Sequence, residues 1–174
     1  MRGFIHRRDY SLMRRANNWE APHWVRLFAM AATRAGDGWL WYAIGGGILL
    51  FGGPERFAAL SAAGLSAVLS VLLFQWLKRF TGRRRPCEIE PHRWATLLPP
   101  DQFSFPSGHT MTAFAMAVSL SLFYPSIMIG LLFCAFSIAA SRILLGMHFL
   151  SDVLAGILLG TVLGIASFHI FAVI

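Results

Sequence analysis

The chain has 174 residues, is 56% hydrophobic and 13% charged, and carries a formal net charge of +7, with a mean hydropathy of +0.59. Soluble domains hold about 25% charged residues, so an ordinary soluble globule is excluded; two cysteines, Cys87 and Cys134, rule out a disulfide scaffold, and the apolar content rules out disorder. What remains is a small, integral, polytopic membrane protein of one domain, residues 1–174, whose basic excess is almost all arginine, with Lys78 the only lysine; that chemistry suits an anionic lipid, as surface or as substrate, rather than nucleic acid.

Residues 1–34 read as an interfacial arm. Arg2, Arg7, Arg8, Arg14 and Arg15 interleave with Phe4, Ile5, Tyr10, Leu12 and Met13, the pattern of an amphipathic helix lying on a membrane and not of a signal peptide. Pro22 to Thr33 is apolar but short and interrupted by Arg26, and reads as a second, half-buried helix. Asp37, between Gly36 and Gly38, reads as a turn or cap before the first span rather than as a catalytic acid.

The bundle occupies residues 38–174. A bilayer takes about 20 apolar residues per helix. Gly38 to Gly53 is uncharged but short; Phe57 to Leu77 is long enough alone. Thr110 to Ser141 carries no charge and is split by Pro125 into two helices with a tight turn. Val153 to Ile174 is the last span. The expectation is an all-α transmembrane bundle of five spans, or six if Pro22 to Thr33 also crosses. Trp39 and Trp41 at the start of the first span and Trp76 at the end of the second mark one interface. The N-terminal arm, the polar loop Lys78 to Ser104 and the turn Ser141 to Ser151 then share one face. On that face Arg79, Arg83 and Arg84 read as headgroup or positive-inside residues, and Glu88, Glu90 and His92 as a solvated loop.

Three clusters converge there: Lys78 with Arg85-Pro86; Pro106-Ser107-Gly108-His109; and Ser141-Arg142 followed by His148 and Asp152. Ser107 is a good N-cap, so the first free N–H groups of the following helix face the polar side, where a helix N-terminus binds phosphate. Gly108 permits close approach of the backbone. His148 and Asp152 stand four apart on one helical face, where a carboxylate on one imidazole nitrogen leaves the other as nucleophile or base. Lys78, Arg85 and Arg142 supply three positive charges for the oxygens of one phosphate.

In order and spacing these residues resemble the type 2 phosphatidic acid phosphatase superfamily, which shares its site with vanadium haloperoxidases: Lys78-x6-Arg85-Pro86, Pro106-Ser107-Gly108-His109 and Ser141-Arg142-x5-His148-x3-Asp152, with no departure from the family pattern. The resemblance implies a lipid phosphatase. In it His148 attacks phosphorus to form a phosphohistidine, Asp152 orients His148, and His109 protonates the leaving oxygen and then helps activate water. Lys78, Arg85, Arg142, Ser107 and the Gly108 N–H hold the phosphate. No metal or other cofactor is expected, because three cations and a helix terminus provide the charge stabilisation. Opposite protonation states for the two histidines imply a bell-shaped pH profile. The expected partners are the bilayer, that of the bacterial inner membrane, and a membrane lipid phosphate. Undecaprenyl diphosphate, phosphatidylglycerol phosphate, phosphatidic acid, lipid A phosphate and prenyl-phosphoryl sugars all fit. A vanadate haloperoxidase shares the residues but not the short chain with continuous apolar spans. A non-catalytic anionic-lipid-binding module is the rival of another class, and does not require His109, His148 and Asp152 together. Five spans with the arm inside put the site at the cytoplasmic face; six put it outside.

Overall fold

A computed structural model describes residues 2–90 and 101–173, with side chains from residue 7 onward. Among the described residues eight α-helices follow one another: α1 (Arg2–Asn18), α2 (His23–Ala35), α3 (Trp39–Phe51), α4 (Arg56–Thr81), the single turn α5 (Pro86–Ile89), α6 (Gly108–Phe123), α7 (Met128–Leu144) and α8 (Leu150–Phe171). Among the described residues three stretches are long and apolar enough to cross a membrane, Arg56–Thr81, Pro125–Leu144 and Leu150–Phe171, while α3 and α6 are apolar but shorter. The all-α membrane bundle expected from the sequence is the architecture found.

The boundaries follow local chemistry. Gly82 ends α4 in the left-handed conformation (φ 57°), its N–H bonded to the Lys78 carbonyl. Pro125 opens a 3₁₀ turn, Pro125–Ile127, that separates α6 from α7, and the Tyr124 hydroxyl donates to the Gly52 carbonyl at 2.9 Å, tying this turn to the end of α3. Helix α2 covers 13 residues, about 20 Å against a hydrocarbon core of about 30 Å. It buries Val25, Ala29, Ala32 and Thr33 and leaves Trp24, Leu27 and Phe28 exposed, the half-buried helix expected. Trp39 and Trp76 are exposed as interface anchors should be, but Trp41 is buried in the core beside Ile48, Ala59 and Ala113 and does not belong to that belt.

Helix α8 packs along α6 at the centre, and a stripe of small residues permits it. Gly156, Gly160 and Gly164 recur every fourth position and are all buried. A Cβ at Gly160 would lie 2.3 Å from the Met111 carbonyl oxygen, and one at Gly164 2.6 Å from that of Ala115. Small residues at such spacing let two helix backbones approach. Gly160→Ala is therefore expected to push α8 away from α6 and to cost about 1–3 kcal/mol, the scale of overpacking. Gly130→Ala, where an added Cβ meets nothing within 4 Å, should leave stability unchanged or raised. Thermal unfolding in detergent compares the two.

Candidate active site

The polar ends of α4, α6, α7 and α8 meet with α1 and the α2–α3 turn on one face of the bundle, the face on which the sequence grouped the charged segments. The connection between α4 and α6 is folded back on itself there. Arg84 and Phe103 form an isolated antiparallel bridge, and the Ser104 N–H donates to the Arg83 carbonyl at 2.7 Å. This pairing brings residues 101–104 alongside Arg83–Arg85. Further backbone ties hold the clusters to each other: Cys87 N–H to the Gly146 carbonyl at 3.2 Å and Ser107 N–H to the Asp152 carbonyl at 3.1 Å.

His148 is buried in the turn before α8, its own N–H bonded to the Arg142 carbonyl at 3.1 Å. Its Nδ1 lies 2.7 Å from the Ser104 carbonyl oxygen. A carbonyl only accepts, so Nδ1 carries the proton and Nε2 presents its lone pair. Arg85 Nη1 stands 3.2 Å from that Nε2 and also donates to the Met147 carbonyl at 3.1 Å. Burial, then the charges of Arg142, Arg85 and Lys78, hold the imidazole well below its ordinary pKa, with the Ser104 carbonyl opposing them. The ring is thus neutral, fixed in one tautomer and surrounded by cations.

Asp152 is not the direct acceptor of the His148 proton that sequence spacing suggested. Its Oδ2 lies 3.8 Å from Nδ1, beyond hydrogen-bond range, because the Ser104 carbonyl occupies that position. Oδ2 instead accepts the Phe149 N–H at 2.8 Å, capping α8, and Oδ1 accepts from Arg83 Nη1 at 2.7 Å. Arg83 therefore corrects its reading as a headgroup residue. It also donates to the Ser151 hydroxyl and to Asp9 Oδ2, both at 2.7 Å, and lies 4.2 Å over the Phe149 ring. Asp9, buried on α1, accepts the Ser151 N–H at 3.1 Å. The N-terminal helix thereby reaches the carboxylate beside His148 through one guanidinium.

The cations sit close to that histidine. Lys78 Nζ and Arg85 Nη2 converge on the two oxygens of Asp101 at 2.6 and 2.8 Å. Burial alone would raise the Asp101 pKa, but these two bonds outweigh it and hold the carboxyl at about 2. One carboxylate thus occupies a donor of each of these two cations. Arg142 is buried at the end of α7. Its Nη1 donates to Thr33 Oγ1, while its Nε is buried with no partner among the described residues, and such a buried orphan donor is what an anion would satisfy.

Ser107 precedes α6 in an extended conformation, yet its side chain makes no capping bond to the backbone N–H groups of the first turn. Its hydroxyl pairs instead with that of Thr110 at 2.9 Å, so Ser107 does not consume the N–H groups of the helix end. Gly108 has a packing reason beyond close ligand approach, since a Cβ there would lie 3.1 Å from the Phe74 ring. His109 Nε2 lies 2.7 Å from Asp37 Oδ1. Asp37 does lie in the α2–α3 turn, as expected, but it also holds a site histidine. A cavity of about 530 Å³ opens beside this pair, between α3, α4 and α6, lined by Trp41, Val71, Phe74 and Met116 among others.

The bystanders are resolved differently. Glu90, taken as a solvated loop residue, pairs with Arg14 of α1 at the surface at 2.5 Å. Cys87 and Cys134 are free thiols. His92, Arg93, Pro91, Pro99 and Pro100 lie outside the described residues.

Comparison with known proteins agrees with this architecture. Lipid A 1-phosphatase of Rhizobium johnstonii is 32% identical over 111 residues, 62% of this chain and 46% of that protein; the chain thus spans about half the length of this relative. Decaprenylphosphoryl-5-phosphoribose phosphatase of Mycobacterium tuberculosis is 34% identical over 131 residues, 73% of this chain and 68% of that one. The crystal structure of Aquifex aeolicus LpxE superposes with a TM-score of 0.77 at 30% identity, covering 92% of this chain and 94% of that one. A transmembrane PAP2 type phosphatidylglycerolphosphate phosphatase from Bacillus subtilis gives 0.73 at 26% identity, covering 98% and 87%. The PAP2 superfamily family model matches residues 59–173, which include all three charged clusters, and the chain belongs to that superfamily.

Proposed function

We propose that the protein is an integral membrane phosphatase that removes phosphate from a lipid phosphate or diphosphate in a bacterial inner membrane, through a phosphohistidine on His148 and without a metal ion. The observation that carries this reading is the setting of His148: a buried neutral imidazole, Nδ1–H held by the Ser104 carbonyl, Nε2 facing Arg85, with Lys78 and Arg142 alongside.

The lone pair of Nε2 attacks phosphorus in line with the leaving oxygen. Lys78, Arg85 and Arg142 hold the equatorial oxygens, helped by Ser107 and the N–H of Gly108 at the start of α6. The phosphate displaces Asp101 from Lys78 and Arg85 and satisfies Arg142 Nε. Charge stabilisation by groups already in place is the main contribution in phosphoryl transfer. His109 protonates the departing oxygen. In the second step it takes a proton from water, whose oxygen bonds to phosphorus as the P–N bond breaks and its electron pair returns to Nε2. Asp152, fixed by Arg83 and the Phe149 N–H, supplies negative charge near the imidazole as it becomes cationic.

The lipid class rests on position. The cluster lies at the polar ends of apolar helices, and the cavity beside His109 is walled largely by apolar side chains of α3, α4 and α6. A hydrocarbon chain fits there while its headgroup reaches the cations. The named relatives act on lipid A and on a prenyl-phosphoryl sugar, which favours a phosphomonoester of a large membrane lipid over a soluble ester.

Phosphate release by the detergent-purified protein in excess EDTA tests this, over a panel of phosphatidic acid, phosphatidylglycerol phosphate, undecaprenyl diphosphate, lipid A and a prenyl-phosphoryl pentose phosphate. Turnover of at least one lipid, undiminished by EDTA, is expected. No turnover by folded protein on any of them would favour a lipid-binding module instead, and turnover abolished by EDTA would overturn the metal-free mechanism.

A further inference from the structure

The α2–α3 turn is built around His109. Gly36 N–H bonds to the Ala32 carbonyl at 3.1 Å and Asp37 N–H to the Arg34 carbonyl at 3.0 Å, so the turn is pinned to the end of α2. Gly38 has φ 123°, a conformation open to glycine and rarely to other residues. Gly36 lies so near the imidazole that a Cβ there would sit 3.0 Å from His109 Cδ2, 3.0 Å from Ile138 Cγ2 and 3.1 Å from the Thr33 carbonyl oxygen. Thr33, one turn earlier on α2, holds Arg142. The backbone at Gly36 therefore rests against the edge of the ring, and the Asp37 carboxylate meets Nε2 at 2.7 Å. Its side chain is 56% exposed, so burial does not force this pairing, and water competes freely for the carboxylate.

We propose that Asp37 is a positioning residue for His109: its carboxylate accepts the Nε2–H bond, fixes the ring, and leaves Nδ1 as the nitrogen that exchanges protons with the substrate. This rests on the proposed phosphatase reaction. As the P–O bond to the lipid breaks, the Nδ1 proton passes to the departing oxygen, which leaves as an alcohol, while His148 Nε2 bonds to phosphorus. In hydrolysis Nδ1 recovers a proton from the attacking water, and the other water proton stays with the phosphate released. Asp37 keeps its bond to Nε2–H through both steps and is not itself protonated. A carboxylate so placed favours the imidazolium in the first step and keeps the ring aimed in the second.

The consequence separates substrates by leaving group. An alkoxide needs the proton; p-nitrophenolate leaves without it. General acid catalysis contributes about 10²–10⁴-fold, and loss of its positioning carboxylate should remove a part of that. The test compares dodecyl phosphate with p-nitrophenyl phosphate for wild type, Asp37→Asn, Asp37→Glu and His109→Ala in detergent. Asp37→Asn should lower kcat/KM, which reports the step that expels the leaving group, by about 10- to 100-fold on dodecyl phosphate and far less on p-nitrophenyl phosphate, with inhibition by inorganic phosphate unchanged. Asp37→Glu should recover part of the loss, and Asp37→Asn should add nothing in the His109→Ala background. Parallel losses of kcat/KM on both substrates, or no loss on either, would overturn the role for Asp37 while leaving the phosphatase reading intact. Failure of the wild type to release phosphate from either substrate would remove that reading and this one with it. A melting temperature equal to wild type for Asp37→Glu keeps the comparison valid if Asp37→Asn folds poorly.

Discussion

His148→Ala should lower kcat by about 10⁴-fold or more, the scale on which removing a nucleophile acts, while the protein still binds inorganic phosphate. The split follows from the geometry. Lys78, Arg85 and Arg142 lie on α4, at the start of α5 and on α7 and keep their backbone positions, whereas the group lost is the imidazole that Ser104 and Arg85 aim. Phosphate release and phosphate binding by calorimetry check the two halves. The pH dependence of the wild type follows from the same burial. His148 is held well below its ordinary pKa by desolvation first and then by Arg142, Arg85 and Lys78, so the neutral nucleophile survives below pH 6.5 and the acid limb of kcat/KM falls well under that value. In the unfolded chain the same ring takes up a proton near pH 6.5. Below that pH the unfolded state binds the extra proton, so stability is lost as pH falls and is level above it. His148→Ala should flatten that part of the melting profile.

Arg83→Met should cost about 3–5 kcal/mol of stability, the usual cost of breaking a buried ion pair from one side, and lower kcat as well. The guanidinium is shared by two carboxylates that are both almost fully buried, Asp152 and Asp9. Methionine fills similar space but leaves both charges without their cation, and frees Asp152 to turn toward His148 Nδ1, now 3.8 Å away. Asp9→Asn alone should cost less, since Arg83 then keeps Asp152. The double variant should be less destabilised than the sum of the two, because the residues form one network. Denaturation midpoints of the four proteins in detergent measure this, and additive effects would show that the network does not act as a unit.

The bundle was legible because helices in a bilayer must satisfy every backbone group internally, so apolar runs and proline breaks map directly onto α3, α4, α6, α7 and α8. The three charged clusters were legible because their order and spacing are distinctive. The support around them was not. Arg83 looks like its neighbours Arg79 and Arg84 in sequence, and only the folding back of residues 101–104 along Arg83–Arg85 turns it toward Asp152. The acceptor for His148 is a backbone carbonyl, which carries no side-chain signal. Asp37 is 72 residues from His109, and its turn-forming neighbours Gly36 and Gly38 explain it well enough locally to hide a longer-range role. The four-residue spacing of Gly156, Gly160 and Gly164 permits the close packing of α6 on α8, and the Ser107 N–H then meets the Asp152 carbonyl.

The central claim is that His148 carries the phosphoryl group during turnover. Quenching the detergent-purified enzyme within milliseconds of mixing with a lipid phosphate labelled at phosphorus tests it directly. The account predicts label bound to the protein, stable in base and lost in acid, located on His148 and absent from His148→Ala. Rapid turnover with no labelled protein, and inversion at phosphorus in place of retention, would mean that water attacks directly and would contradict it.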